Sequence, residues 1–318
     1  MPALCILCGK NPPIKGSHIV SKFVVRRLKQ GNPLGTLVHS DNVNRTFQDA
    51  WKRDYLCEVC EGQFSKYEDW FCRRVYEPMT EGAPCEVDYS AVFGLFVASL
   101  AFRYLWYALE IDFHNSPPLE LLDLEKDLRE ALKSNNFAKL KARSYIQFLV
   151  PVDTVDRFPP GINSYLFEAI DGKVFDYGLH TIAGEPREKF WVIYVKLPGM
   201  FFLTSLLDRH QITCGFGERL LHRILETGNL KTAMHTGNDS LMVNDIFIQR
   251  TFQIQADYEK MSTNRLQRNR EKIENTPDLE EYRAHQTHLR DVKLMQELAS
   301  KQTQARSAAP ADSGDDPT

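Results

Sequence analysis

Two short cysteine pairs constrain the fold of this chain more than any other feature of its sequence. Cys5 and Cys8 form the first C-x2-C pair, and Cys57 and Cys60 form the second. Each pair places two thiolates on one side of a tight turn, and four sulfurs at roughly 2.3 Å complete a closed tetrahedral shell around zinc. We therefore expect a structural Zn²⁺ that joins two sequence-distant arms. The alternative, four cysteines that are neighbours by chance, is disfavoured by the matched spacing.

The remaining cysteines and the apolar segments indicate a cytoplasmic protein. Cys72, Cys85 and Cys214 have no ligand spacing, and we interpret them as core thiols. An odd total of seven cysteines suits a reducing compartment. The amino end lacks a basic segment followed by a long apolar run, and Arg103 interrupts the most apolar stretch, residues 91–109. The sequence predicts neither a secreted nor a membrane-spanning protein.

Periodicity and turn residues divide the 318 residues into four predicted units of an α+β protein. Residues 1–80 form the zinc-bound unit, in which a helix begins at the second cysteine pair. The proline- and glycine-rich run 77–84 ends this unit. Residues 87–255 form a helical hairpin and an antiparallel sheet with a possible regulatory role, residues 256–304 a charged helical tail, and residues 305–318 a segment that is disordered by composition.

Within the second unit, the sequence predicts specific elements. Residues 89–109 are apolar on nearly every face, which is typical of a buried helix, and an amphipathic helix follows at 119–134. Residues 144–207 consist of short β-rich runs, including SYLFEAI at 164–170 and a predicted hairpin turn at Asp171-Gly172. We expect another helix at 217–226 and a break between two tail helices at Pro277.

A basic segment stands out in a chain whose net charge is −3 and whose pI is about 6.3. Residues 10–53 carry nine basic and two acidic side chains. Local positive charge is what attracts a phosphate backbone, although a solvated charged face is the alternative. The candidate DNA-binding residues are Lys22, Arg26, Arg27, Arg73 and Arg74.

A histidine close to the first cysteine pair extends the pattern. The run is C-x2-C, then S-H-I-x-x-x-F at Ser17–Phe23, then Q-D-x-W-x-x-x-Y-L-C-x-x-C-E-x-x-F-S-K-Y-E from Gln48. Over residues 4–72, and more weakly to about 132, this resembles a group of bacterial proteins with a zinc-containing HNH-type domain. The resemblance implies a treble-clef, ββα-metal fold with DNA as the substrate. It also implies a role in bacterial defence against phage.

The resemblance assigns catalytic roles to three residues. His18 matches the general base that deprotonates the attacking water, and Glu61 and Glu68 stand on one helical face where they can bind a catalytic Mg²⁺ or Mn²⁺. The chain departs from the family at Ser17 and Glu61, where typical members have other metal ligands, and at Ser65. The alternative for His18 is a structural role, and the alternative for Glu61 and Glu68 is that both are solvated carboxylates. The other histidines, including His222 and His235, show no ligand spacing.

Two functions follow from these observations. The first is a metal-dependent HNH-type DNA endonuclease whose charged tail, residues 256–304, docks a protein partner or a second copy. The second is a non-catalytic, zinc-stabilised module that binds nucleic acid or protein, which accounts for the departures from the usual ligands. An enzyme in the sheet region is not indicated, because that region has no triad, phosphate loop or dinucleotide fingerprint.

Overall fold

The computed structural model describes residues 4–39, 42–49, 51–82, 86–113, 116–154, 158–180, 186–206, 221–235, 237 and 241–308. The fold is of mixed α+β type, as the sequence predicts. Cys85 and Cys214, which we predicted to be core thiols, lie outside the described residues.

The described part of the amino-terminal region consists of two small antiparallel strand pairs and three helices. Strand β1 pairs with β4 so that His18 lies opposite Lys52, and β2 pairs with β3. Helix α2 continues through a π-helical turn at Cys72–Tyr76 into the short helix α3, so the helical path ends at Thr80. The elements are β1 Ser17–His18, α1 Lys22–Gln30, β2 Leu37–His39, β3 Asn42–Phe47, β4 Lys52–Arg53, α2 Glu58–Phe71 and α3 Glu77–Thr80.

The predicted helical hairpin is confirmed as α4, Ala91–Ile111, and α5, Leu119–Lys133. Helix α4 is long and apolar enough to cross a bilayer by length and composition alone, but 78% of its most apolar window is buried inside the protein. It is a central helix of the core. Its Phe96 ring stacks on the ring of Phe71 from α2, with 4.0 Å between the ring centroids. The same Phe71 ring contacts Phe202 of the sheet edge-on at 5.8 Å.

The predicted antiparallel sheet is also confirmed, with five strands in the order β10-β6-β9-β8-β7. Its strands are β6 Arg143–Phe148, β7 Asp171–His180, β8 Pro186–Leu197, β9 Met200–Ser205 and β10 His222–Arg223. A separate antiparallel pair joins β5, Glu86–Tyr89, to β11, Gly228–Lys231. The tight turn of the sheet lies at Pro198-Gly199, where Gly199 has a φ of 73° that favours glycine.

Three sequence predictions in this region were wrong. The run SYLFEAI is mostly helix, α6 Ile162–Glu168, and Asp171-Gly172 begins strand β7 instead of forming a hairpin turn. Of the helix predicted at 217–226, residues 217–220 lie outside the described residues, and the rest contains strand β10. In α6 the propensity for β structure is overridden by a distant residue, Asp291, which accepts the N–H groups of Asn163 and Ser164.

Three helices form the carboxyl-terminal part: α7 Leu241–Glu259, α8 Thr263–Glu274 and α9 Arg283–Ala308. The predicted break at Pro277 is confirmed. The tail is not an isolated solvated segment, because Arg283 pairs with Glu168 of α6 at 2.8 Å and Leu294 is 1% exposed. Residues 305–308, predicted to be disordered, belong to α9, and residues 309–318 lie outside the described residues.

The core does not divide at the predicted boundary between residues 80 and 87. One cluster of buried side chains contains residues from the cysteine region, from α4 and from the sheet, including Leu7, Phe64, Phe102 and Val195. A second cluster lies on the other face of the sheet against α6, α7 and α9. The amino-terminal region is therefore packed as part of a larger core.

Candidate functional site

The four predicted zinc ligands come together. The Sγ atoms of Cys5, Cys8, Cys57 and Cys60 all lie within 4.8 Å of one another. The sulfurs of Cys8 and Cys57 are 3.8 Å apart. A tetrahedron with Zn–S bonds of about 2.3 Å has sulfur–sulfur edges of about 3.8 Å, so the spacing fits zinc. The cysteine cluster can hold a metal ion with no open position.

Local backbone geometry positions these sulfurs. Cys57 precedes the first residue of α2, and Cys60 is in its first turn. In the first arm, the N–H of Gly9 donates to the carbonyl of Cys5 at 2.8 Å, and Gly9 has a φ of 65°. The N–H of Ile6 donates to the carbonyl of Tyr55 at 2.9 Å, which ties the two arms together beside the sulfurs. The turn thus orients the thiols of Cys5 and Cys8, and the start of α2 orients those of Cys57 and Cys60.

The cysteine thiols differ in how readily they ionise. Burial opposes ionisation of Cys8, but backbone N–H groups of Asn11 and Lys10 outweigh it and lower the pKa to about 6. Burial raises the pKa of the Cys5 thiol, and burial together with the Cys57 sulfur raises the pKa of Cys60. A bound cation stabilises the thiolates that burial disfavours. Metal binding here therefore releases protons and strengthens as pH rises.

His18 is held beside the cysteine cluster and has a carboxylate partner. Its Nε2 lies 3.1 Å from Oδ1 of Asp49, and the side chain is 18% exposed. The second carboxylate oxygen of Asp49 lies 2.5 Å from Nζ of Lys52, the residue paired with His18 across β1 and β4. Asp49 therefore fixes the orientation of a ring that still reaches solvent. The sequence analysis did not select Asp49, although it belongs to the Q-D-x-W run.

Glu61 and Glu68 make different contacts from those predicted for metal ligands. Oγ of Ser17 donates to Oε2 of Glu61 at 2.7 Å. Oε1 of Glu68 lies 2.8 Å from Nη2 of the buried Arg103. Within the described part of the chain, the cysteine cluster is the only group of three or more histidine, cysteine or acidic ligand atoms close enough to share an ion. His18, Glu61 and Glu68 are not brought together in such a group.

Arg103 links the elements around His18. It is 1% exposed, and its Nη1 donates to the backbone carbonyl of His18 at 3.0 Å. Its Nε donates to the carbonyl of Ser99 at 3.2 Å, and its guanidinium lies 5.5 Å from the centre of the Phe64 ring. The arginine in the middle of the apolar helix thus joins α4, α2 and the strand that carries His18.

Three of the four basic residues of α1 line an open groove of about 370 Å³. Lys22 and Arg26 are exposed there, and Lys29, which the sequence analysis did not select, completes the same helical face. Nζ of Lys29 donates to Oε1 of Gln48 at 2.9 Å. Because Gln48 directly precedes Asp49, the groove lies next to the His18–Asp49 pair along the chain.

The other predicted DNA-binding residues do not line this groove. Arg27 is half-buried, and Arg74 is exposed on the π-helical turn after α2. Arg73 is exposed and forms an ion pair with Asp69 at 2.9 Å, which partly neutralises its charge. Of the predicted DNA-binding residues, only Lys22 and Arg26 line the groove.

Comparisons with known proteins add no relative. No protein-family model, no curated protein and no solved structure matches the chain.

Proposed function

We propose that the protein is a metal-dependent nuclease of the HNH type that uses His18 as its general base. One observation carries the proposal: a partly exposed histidine beside the cysteine cluster contacts a carboxylate at 3.1 Å. A general base needs both access to water and a group that fixes its ring orientation and tautomer.

The arrangement of elements supports a treble-clef fold for residues 4–71. A cysteine turn is followed by a short strand pair, β1 and β4, and then by a helix whose amino end carries the second cysteine pair. We infer that zinc bound by the four cysteines holds these arms in place. In this arrangement the ion is structural, and the chemistry occurs at His18 on the strand arm.

The proposed reaction is hydrolysis of a phosphodiester. Because the Nε2–H of His18 faces the Asp49 carboxylate, Nδ1 is the nitrogen that accepts a proton from water. The water oxygen attacks phosphorus, the bond from phosphorus to the leaving sugar oxygen breaks, and Asp49 stabilises the imidazolium that results. Lys22, Arg26 and Lys29 hold the phosphates of the flanking backbone in the groove by charge. The substrate is thereby placed along α1 with its reactive bond at the strand end.

A catalytic Mg²⁺ or Mn²⁺ would stabilise the leaving oxygen. Such an ion needs only one or two carboxylates, because waters and substrate phosphate oxygens complete its shell. Asp49 lies nearest to the base and can serve as one of them if Lys52 releases its Oδ2. Glu61 and Glu68 can serve only if Ser17 and Arg103 release them, because both carboxylates already have partners.

The test is plasmid nicking by the zinc-loaded protein in the presence of Mg²⁺ or Mn²⁺. We expect nicking by the wild type, a loss of roughly 10²–10⁴-fold in His18→Ala, and a smaller loss with a changed pH profile in Asp49→Asn. His288→Ala removes an exposed histidine on α9 and should leave nicking unchanged. Equal activity of His18→Ala and the wild type would rule out the assigned base.

A second candidate is a non-catalytic nucleic-acid-binding module. It is favoured by the engagement of Glu61 with Ser17 and of Glu68 with Arg103, which leaves the basic groove as the main feature. Under this alternative, His18→Ala binds DNA as the wild type does and no variant nicks it. Arg26→Glu should weaken binding and flatten its salt dependence under both candidates, whereas Lys293→Glu, an exposed change on α9, should not.

The role in defence against phage rests on the family resemblance. If it is correct, bacteria that express the wild-type chain restrict phage plating, and the His18→Ala chain restores it. Recognition of a partner through residues 256–304 also stays a prediction.

A further inference from the structure

Two histidines far from the cysteine cluster lie next to each other. His222 is in β10, and His235 ends the 3-10 turn that follows β11. Nδ1 of His222 and Nε2 of His235 are 3.2 Å apart, and the ring centroids are separated by 4.7 Å. The sequence does not predict this pair, because the two histidines are thirteen positions apart with a strand between them.

The backbone fixes both rings. His222 is paired with Ile146 across β10 and β6, and the N–H of Ile224 donates to the carbonyl of Ser144 at 2.9 Å. On the other side, β11 is paired with β5 along its full length, and the turn that carries His235 starts where this pairing ends. The two nitrogens therefore face each other because of strand pairing.

Their separation matches that of two imidazoles on one cation. Metal–nitrogen bonds of about 2.0–2.1 Å to nitrogens 3.2 Å apart make an angle of roughly 100° at the metal. This angle lies between the octahedral and the tetrahedral values. Imidazole is a preferred ligand of Zn²⁺, Ni²⁺ and Cu²⁺.

Groups around the pair can orient its rings, as the neighbours of metal-binding histidines do. Nε2 of His222 lies 2.9 Å from the hydroxyl of Tyr89, so the ring nitrogen that faces away from His235 has an oxygen partner. Gly228 leaves room for this hydroxyl, since a Cβ there would lie 2.5 Å from it. Nδ1 of His235 is buried without a partner among the described residues, so hydrogen bonds do not fully account for the pair.

We propose that His222 and His235 form a second metal site, separate from the cysteine cluster, which binds a first-row divalent cation that prefers nitrogen ligands. Tyr89 is a positioning residue that orients the ring of His222. Water completes the coordination shell, because both histidines are only half-buried. The proposal does not depend on nuclease activity.

The test is titration of the untagged, zinc-loaded full chain with Ni²⁺ by isothermal calorimetry, with zinc retention measured by mass spectrometry. We expect one Ni²⁺ per chain to bind while the zinc is retained. His222→Ala and His235→Ala should each lose this binding, and Tyr89→Phe, which keeps the ring, should weaken it by about 10–100-fold. His285→Ala, at a half-buried histidine of α9, should bind as the wild type does.

Thermal unfolding provides a second readout that keeps the test decisive. Each variant is first shown to unfold cooperatively without Ni²⁺, and Ni²⁺ should then raise the Tm of the wild type and of His285→Ala but not that of His235→Ala. The proposal is overturned if the wild type takes up no Ni²⁺, or if uptake persists in both His222→Ala and His235→Ala.

Discussion

Arg103 shows how a single residue connects the site to the core. The side chain is charged and almost fully buried, which is costly unless its donors are satisfied. Its partners are the Glu68 carboxylate and the carbonyl groups of His18 and Ser99. In the sequence, Arg103 only interrupted an apolar helix. Its contacts identify it as the group that sets the position of the His18 strand against α2 and α4.

Replacing Arg103 by Met should destabilise the protein strongly. The substitution keeps much of the volume but leaves the Glu68 carboxylate without its cation and the His18 carbonyl without its donor. We expect a loss of about 3–5 kcal/mol in the free energy of unfolding, measured by urea denaturation with zinc present. Arg103→Met combined with Glu68→Gln should recover part of this loss. Simple additivity of the two single changes would contradict the pairing.

Lys196 should make stability depend on pH. The residue is fully buried, and its Nζ donates to the carbonyl of Ala169 at 2.6 Å. Burial lowers its pKa from 10.5 to about 7, although the negative charges of Asp171 and Glu168 act to raise it. Between these two values the unfolded chain binds more protons than the folded protein. The free energy of unfolding therefore rises with pH in this window, and the stabilisation is lost as pH falls to 7.

Lys196→Met isolates this effect. Other titrating groups contribute almost equally to both proteins, so the difference between them reports on residue 196. Relative to the variant, the wild type should gain about 2 kcal/mol between pH 7 and pH 9 in urea denaturation. A difference that stays constant across this range would show that the lysine keeps an ordinary pKa.

The candidate site was predictable only where spacing carries geometric information. The four cysteines follow a spacing that favours a shared ion, and His18 follows a motif. Asp49 was not found, because neither periodicity nor ligand spacing relates it to His18, 31 positions away. The partners of Glu61 and Glu68 were missed for the same reason: they come from a neighbouring strand and from a helix.

At the scale of elements, helices with an unambiguous pattern were predicted and α6 was not. Helix α4 is apolar on almost every face, and α2 carries Phe64, Tyr67 and Phe71 on one face at helical spacing, all of them buried. The run that forms α6 is rich in β-prone residues. It is helical because Asp291 of α9 accepts the N–H groups of Asn163 and Ser164 at 3.0 and 2.9 Å. No local pattern reveals a cap supplied from so far along the chain.

Asp291→Ala should loosen α6 and α9 together. The aspartate is 3% exposed and also accepts the hydroxyl of Ser164 at 2.7 Å, so its loss leaves several buried donors without a partner. We expect a cost of about 2–4 kcal/mol and faster amide hydrogen exchange in both helices. Glu297→Ala, which removes an ion pair with Lys301 on α9, should cost less than about 1 kcal/mol.

At the scale of the whole molecule, the cysteine cluster and the sheet share one core. Leu7, next to Cys8, and Val195 of the sheet belong to the same buried cluster, and Phe71 contacts rings from both α4 and β9. The sequence predicted two separate units because a proline- and glycine-rich run lies between them. The packing is not divided there, because it depends on residues that are distant in sequence.

Loss of zinc should therefore be felt beyond the amino-terminal region. Cys60→Ser removes a ligand at the start of α2, and the helix loses the restraint that holds Phe71 against Phe96 and Phe202. We expect metal content to fall to a small fraction of one zinc per chain, a lower Tm, and faster hydrogen exchange in α4 and β9 as well as in α2. Cys72→Ser, at a half-buried cysteine outside the cluster, should keep its zinc and the wild-type exchange pattern. If Cys60→Ser accelerates exchange only before residue 80, the core divides at the boundary that the sequence predicted.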